Sequence, residues 1–259
     1  MRDSTGSPGR TGSSGSSGPR RRLLVATRSR HKLRELGELL ALGPGVKLLS
    51  PDDVGIEEEP EETGETFETN ARIKARFYAR RAGIPTLADD SGIEVDALGG
   101  APGVRTRRYS GPDATDERNN EKLLRELAGL PPERRGARYV CVLALALPDG
   151  EERPDNTEPA DDTELTDTTE RRGQAVPERQ RRGAALPIIV RRGTCRGRIA
   201  DAPRGAGGFG YDPIFEPAQE PPGGRTLGQW TATEKHAISH RSRAAARMLP
   251  VLRELGLGG

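Results

Sequence analysis

Apolar positions along the chain fall into short runs and helical stripes separated by turn residues. Leu23-Leu24-Val25-Ala26-Thr27 is of strand length and almost wholly apolar, so it reads as a buried strand. It passes through a polar turn at Arg28 to Lys32 into the stripe Leu33, Leu36, Leu39, Leu40, a helix stopped by Gly43-Pro44. A second helix over 65–82 carries Phe67, Ala71, Ala75 and Tyr78 on one side. Leu87 to Asp90 reads as a strand that turns at Ser91-Gly92, with Ile93 to Val95 as its partner and a Gly-Gly-Ala-Pro-Gly loop beyond. A helix over 116–128, a strand from Val140 to Leu147, and strands Leu186–Val190 and Thr194–Ala200 follow. The capping box Thr231-x-x-Glu234 introduces a terminal helix rich in Ala and Leu. Strands and helices alternate without an internal repeat, which predicts an α/β or α+β sheet domain flanked by helices.

Two stretches break this pattern. Residues 1–22 are Gly, Ser, Pro and Arg, and read as a disordered tail in which GSSGSSG is linker-like. Residues 151–185 join an acidic, Thr-rich half to a basic half with neither helical nor strand period, and read as a disordered insert in a domain spanning 23–259. They account for an apolar content of only 32%, low for a chain packed along its whole length. Their net charges, +4 and −4, cancel, so the body keeps the chain's +2. A near-neutral body argues against a nucleic-acid polymer as partner. Cys141 and Cys195 supply neither a disulfide framework nor a zinc set, which suits a reducing cytoplasm. The longest apolar run is far shorter than the roughly 20 residues that span a bilayer, and the N-terminal stretch has no apolar core of a secretory signal.

Four segments hold chemistry. Thr27-Arg28-Ser29-Arg30-His31-Lys32 is a strand-to-helix turn whose backbone N–H groups and cations suit a phosphate, although a solvated first turn reads the same way. The acidic run 57–65 is ordinarily an exposed loop. Together with Asp90, one of its carboxylates completes a Mg²⁺ set, since that ion takes one or two carboxylates plus water and phosphate. Gly205 to Pro213 satisfies G-x-G-x-x-G, but prolines at 203 and 213 deny it the flanking strand and helix of a dinucleotide fingerprint. Three of the nine aromatic residues nevertheless lie between Phe209 and Phe215, where a Gly-rich loop can approach and stack on a flat ring; a tight turn with core aromatics is the plainer alternative. Glu234 to Arg241 contains two of the three histidines, and its Lys235, His240 and Arg241 offer donors to phosphate or to a base carbonyl. These features favour a nucleotide site, and a phosphorylated sugar fits almost as well.

The ordered series is more specific than any one segment. Thr27-x4-Lys32-x2-Glu35, Glu61-Glu62-Thr63-Gly64-x2-Phe67-x2-Asn70-Ala71-x2-Lys74-Ala75, Ala88-Asp89-Asp90-Ser91-Gly92, Gly99-Gly100-Ala101-Pro102-Gly103-Val104, Ala202 to Gly205, Gly208 to Phe215 and Lys235-x3-Ser239-His240-Arg241 together resemble the inosine triphosphate pyrophosphatase family, the RdgB-like dITP/XTP pyrophosphatases. The match covers residues 23–255 apart from the insert. It implies an elongated mixed β-sheet with flanking helices, and two lobes with a cleft between them. It also implies a cytoplasmic, Mg²⁺-dependent homodimer that hydrolyses ITP, dITP and XTP to the monophosphate and pyrophosphate, cleansing the nucleotide pool. By position, Asp90 is the general base and, with Glu62, the metal carboxylate. Residues 27–32, Ser91, Phe209, Gly210, Tyr211, Asp212, Lys235, His240 and Arg241 bind substrate. Asp90 is expected to face the cleft and Asp89 to point away and serve structure.

The resemblance also implies how the base is chosen. Donors from Arg241 or nearby backbone N–H groups accept a six-position carbonyl and are left unpaired against adenine. Departures from the family pattern are Ser29 where Asn is usual, Arg28 where a small residue is common, Ser242 where Gly is usual, the segment 226–233 and the insert. Ser29 and Arg28 keep open a second reading, a nucleotide-binding protein of this fold with little turnover. The tail and insert keep open a third, an interaction protein.

Overall fold

The computed structural model describes residues 21–40, 42–148 and 188–259. Most of the 1–22 segment and all of the 151–185 insert lie outside these bounds. Arg21 and Arg22 lie inside them and correct the tail boundary. Arg22 opens strand β1 (Arg22–Val25) opposite Lys47, and Arg21 donates to the Leu255 carbonyl.

A six-stranded sheet runs in the order β2-β1-β3-β4-β5-β6. β1 lies between β2 (Lys47–Leu49) and β3 (Thr86–Val95), parallel to both. β4 (Gly136–Ala146), β5 (Ile188–Ile199) and β6 (Phe215–Pro217) continue it antiparallel. The helices are α1 (Arg30–Leu39), α2 (Phe67–Ala82), α3 (Asp116–Glu126), α4 (Ala232–Ile238) and α5 (His240–Glu254).

Strand alternation divides the core. Leu24, Ala88, Val140, Val142 and Ala144 face α2, which meets them with Phe67, Ala71, Ala75 and Tyr78, the stripe expected from its sequence. Leu23, Val25, Leu87, Cys141 and Leu143 face the other way, onto Leu36 and Leu40 of the α1 segment and Ala244, Ala245 and Met248 of α5. Farther along the same long strands, Ile93, Val95, Tyr139 and Cys195 pack with Leu123, Tyr211, Ile214 and Phe215 in a second lobe. The long strands thus run through both lobes. β1 is only four residues long and pairs with β3 at Thr86 and Leu87 alone, so beyond Leu87 that edge of β3 leaves its strand partner and borders a cleft.

Three local expectations are corrected, each for a packing reason. Ser91-Gly92 is not a turn: β3 continues through it and pairs with β4 at every residue from Thr86 to Val95. Gly92 is there because a Cβ would collide with Thr106, the Gly103 carbonyl and Phe67. The two strands expected around Arg191–Gly193 are one, β5, because α5 packs directly onto Gly193. The terminal helix is two: Ser239, at φ −61° and ψ 150°, ends α4 and caps α5 by accepting from Ser242 N.

Between α1, β3 and α5 lies a buried ion network. Arg241 donates from Nε to Asp89 at 2.7 Å, from Nη1 to Glu35 at 2.6 Å and from Nη2 to Ser91 Oγ at 3.1 Å. Asp89 is fully buried as a side chain and Arg241 only 2% exposed. Burial works against the Asp89 charge, yet Arg241 and then Lys32 outweigh it and hold the carboxyl well below the usual range.

Two outcomes follow. Gly193→Ala should cost about 1–3 kcal/mol in urea unfolding, because the added carbon meets the His240 carbonyl and the Ala244 backbone rather than a movable side-chain tip; an unchanged midpoint would contradict this packing. Asp89→Asn should cost about 3–5 kcal/mol by leaving a buried guanidinium short of a counter-charge. Because the folded pKa is depressed, the wild-type contribution is complete above the ordinary aspartate range and lost as pH falls below it. The gap between wild type and variant should therefore narrow in acid, and a gap that widens there would refute the assignment.

Candidate active site

The cleft between the lobes is a cavity of about 520 Å³ reached by residues from most elements of the fold. One wall is the β1–α1 turn. Ser29 caps α1 by accepting from Lys32 N at 3.4 Å, and Thr27 Oγ1 accepts from Ser29 N at 3.2 Å. The Ser29 hydroxyl therefore has a defined local task, and the turn keeps its helix start. Lys32 projects inward to 3.4 Å from Ser91 Oγ and 3.5 Å from Asp89 Oδ1. Burial lowers its pKa despite the attraction of Asp89, with Arg241 and Lys74 acting in the same direction as burial.

Opposite stands Lys74 of α2. Its ammonium donates to Asp90 Oδ1 at 2.8 Å and pairs with Glu62 Oε1 at 3.4 Å. Burial disfavours its charge, but Asp90 and Glu62 overcome that and raise its pKa. Asp90 behaves in the opposite way to its neighbour. Burial raises its pKa, Lys74 pulls it back, Glu62 and Asp89 add to the rise, and the net shift is upward. Adjacent carboxylates on one strand thus sit on opposite faces, one held firmly ionised and the other moved toward neutrality.

The base of the second lobe supplies a different surface. Phe209 is 45% exposed, with the Lys235 ammonium 4.5 Å from its ring centroid. Lys235 also donates to Asp212 at 2.5 Å, and Asp212 accepts from Phe209 N at 2.9 Å and from Tyr139 OH at 3.3 Å. His240 stacks on Tyr139, ring centroids 4.9 Å apart and planes 10° from parallel. Burial first, then the nearby Arg241 charge, press its pKa well below the usual histidine value, so the imidazole is neutral. Tyr211 OH donates to the Thr106 carbonyl, and Asp116 accepts from Gly210 N at 2.6 Å, which fixes the Gly-rich loop against α3. That loop leads into a single 3-10 turn at Asp212–Ile214 rather than an α-helix, in keeping with the rejected dinucleotide fingerprint.

Most residues singled out in the sequence meet here. Thr27, Arg28, Ser29, His31, Lys32, Glu62, Ser91, Phe209, Gly210, Tyr211, Asp212, Lys235, His240 and Arg241 line the one cavity. Arg30 does not: it is the first residue of α1 and its side chain turns to solvent. The two aspartates point to opposite faces. Asp89 is fully buried as a side chain and holds Arg241 and Lys32 beneath the cavity, while Asp90 keeps 12% of its side chain exposed beside Lys74. Lys74, Glu35, Asp116 and Tyr139 had no role assigned from sequence. Lys74 stands next to the buried stripe of α2 and Tyr139 inside a strand, positions that pattern reading gives to packing.

Two carboxylates beside the cavity are the side chains that could hold a cation. Among the described residues no group of three or more metal-type side chains converges. Asp90 and Glu62 do meet, through one ammonium, and two carboxylates with a polyphosphate make an ordinary Mg²⁺ set.

Known proteins resemble this chain over most of its length. The family model described as the Ham1 family matches residues 23–158 and 165–251. A dITP/XTP pyrophosphatase from Anaeromyxobacter sp. (strain Fw109-5) is 42% identical over 265 residues, covering 92% of this chain and 99% of that protein. Another, from Symbiobacterium thermophilum, is 43% identical over 241 residues, with 91% and 98% covered. Among solved structures, a HAM1 protein from Coxiella burnetii superposes with a TM-score of 0.70 at 34% identity, covering 90% of this chain and 99% of that one. The nucleoside-triphosphatase / dITP/XTP pyrophosphatase from Mycobacterium abscessus gives 0.63 at 40% identity, with 88% and 99% covered. With its two-lobed mixed sheet and a family match over most of its length, the chain belongs to the Ham1 family, the RdgB-like dITP/XTP pyrophosphatases.

Proposed function

We propose that this chain is a Mg²⁺-dependent hydrolase that converts ITP, dITP and XTP to the monophosphate and pyrophosphate, and so clears non-standard purines from the nucleotide pool. The supporting observation is the polarity of one cavity. Lysines and carboxylates line its β1–α2 end, and an exposed phenylalanine, a neutral histidine and the Asp212–Lys235 pair line the other. A phosphorylated sugar has no flat ring to use the second end. A purine nucleoside triphosphate uses both.

In this reading Lys32 and Lys74 hold the phosphates, and Ser91 and the N–H groups of the β1–α1 turn complete the cradle. Lys74 exchanges its carboxylate partners for phosphate oxygens as the substrate enters, which uncovers Asp90. Its raised pKa makes Asp90 a better proton acceptor than an ordinary aspartate, suited to orient and deprotonate the attacking water. Asp90 and Glu62 hold Mg²⁺, which when bound neutralises charge on the phosphate oxygens and the leaving pyrophosphate. Asp89 keeps Arg241 and Lys32 in place throughout.

Base selection follows from donors and acceptors. A neutral imidazole offers one N–H and one acceptor nitrogen, and Arg241 has engaged three of its five N–H groups. Hypoxanthine and xanthine present a carbonyl at position six beside a ring N–H; adenine presents the reverse pattern and leaves buried groups unpaired. Following the family resemblance, the proposal includes a homodimer working in the cytoplasm. Both cysteines are buried and free, and among the described residues no helix is long and apolar enough to cross a membrane.

The full-length protein with Mg²⁺ should release pyrophosphate from ITP, dITP and XTP, with kcat/KM for ATP lower by about 10⁴. Tight binding of ITP without release would instead support a nucleotide-binding protein of the same fold. Asp90→Asn should reduce turnover of ITP by about 10² or more, and near-normal rates would remove Asp90 from the mechanism. Without Mg²⁺, the Asp90 carboxyl followed by NMR should titrate above the ordinary aspartate range; a titration at or below that range would contradict the environment described for it.

A further inference from the structure

Arg28 lines the cavity, but its guanidinium is engaged by the protein itself. It crosses from the β1–α1 turn to the acidic loop that precedes α2. Nη2 donates to the carbonyls of Ile56 at 2.7 Å and Glu57 at 2.8 Å, Nε pairs with Glu59 at 3.2 Å, and Nη1 pairs with Asp52 at 3.5 Å. The two carboxylates are largely exposed, 67% and 69%, so their attraction is screened and adds little. The two carbonyl bonds fix geometry. Nη2 alone holds both carbonyls while Nε and Nη1 reach the two carboxylates, and it is this spread of four partners over three nitrogens that a point-like ammonium cannot reproduce.

That loop has few other anchors. From Ile56 to Gly64 its backbone–backbone bonds are Ile56 N to the Pro51 carbonyl and Thr63 N to the Glu61 carbonyl. Tyr78 OH reaches the Glu58 carbonyl at a long 3.4 Å, and Asn70 brackets Gly64 with bonds of 2.8 and 3.2 Å. Glu62 lies between the Tyr78 and Asn70 anchors and is tied to Lys74 only by a 3.4 Å ion pair. Where Glu62 stands relative to Asp90 therefore depends on how the loop is held at its start, and Arg28 holds it there.

We infer that Arg28 is a positioning residue: it clasps the acidic loop to the phosphate turn and so sets the distance between the carboxylate wall and the lysine wall of the cavity. The inference rests on the proposed nucleotide hydrolysis for its consequence, and on the clasp alone for its structural part. The residue in the turn is large because it reaches away from the substrate to hold the partner wall.

The test compares wild type, Arg28→Ala and Arg28→Lys as full-length chains. Hydrogen exchange without metal or nucleotide should quicken in both variants at the Ile56 amide, the N–H at the loop's start that is held by a backbone bond, by about tenfold or more, while the β3 and β4 amides keep wild-type protection. With ITP, both KM and the Mg²⁺ concentration for half-maximal rate should rise by about 10- to 100-fold, and kcat should change less. Arg28→Lys should resemble Arg28→Ala, because one ammonium does not span the partners that three guanidinium nitrogens reach. Unchanged loop exchange with a raised KM would overturn the clasp and make Arg28 a direct substrate contact. Faster exchange with KM and Mg²⁺ dependence unaltered would overturn its positioning role, as would full rescue by lysine. Should wild type bind ITP without cleaving it, the hydrolase reading fails on its own, and the same comparison is read from the ITP dissociation constant.

Discussion

The salt bridge between Asp89 and Arg241 joins parts of the chain that are far apart in sequence and close at the cavity. Asp89 comes from the middle of β3, Arg241 from the first turn of α5, and Glu35 of α1 shares the same guanidinium. Neither member of the pair is solvated, so each depends on the other for its charge, and loss of one strands its partner in a low-dielectric interior. The geometry of the cleft is set by this constraint. Once Arg241 is fixed, the neighbouring His240 is held against Tyr139, and once Asp89 is fixed, Lys32 is drawn inward from the turn.

The same strand carries the second carboxylate to the other face. Burial raises its proton affinity, and Asp90 meets one ammonium rather than a guanidinium and a lysine to oppose it, with Glu62 and Asp89 adding to the rise. One backbone step therefore separates a group that serves as a permanent anion from one whose proton affinity has been raised. The short β1 makes this useful. It leaves β3 after Leu87, and the uncovered edge is where Asp89, Ser91 and the turn residues meet a common space.

Much of this was legible in the sequence because it rests on local rules. The α2 stripe, the α1 start, the capping box at Thr231 and the apolar strands follow from periodicity and end signals, and each is present in the fold. Ser91-Gly92 and Arg191 to Gly193 misled because glycine and polar residues also occur inside strands where another element packs close. Only the tertiary neighbours, Thr106 for Gly92 and α5 for Gly193, distinguish that from a turn. The ordered motifs named segments that line one cavity, but partners could not be read from them. Nothing local says that Arg28 grips the loop of Glu57, that Lys74 covers Asp90, or that Asp89 reaches an arginine 152 residues away. Those are facts of topology.

The most direct measurement is a crystal structure of the full-length protein with Mg²⁺ and a non-hydrolysable ITP analogue. The expected result is one nucleotide along the single cavity, its phosphates between Lys32 and Lys74, its ring between Phe209 and His240, and the Asp89–Arg241 bond intact. A nucleotide seated in another cavity, or one reversed with its ring against the lysines, would contradict the convergence of these segments on one purine triphosphate site.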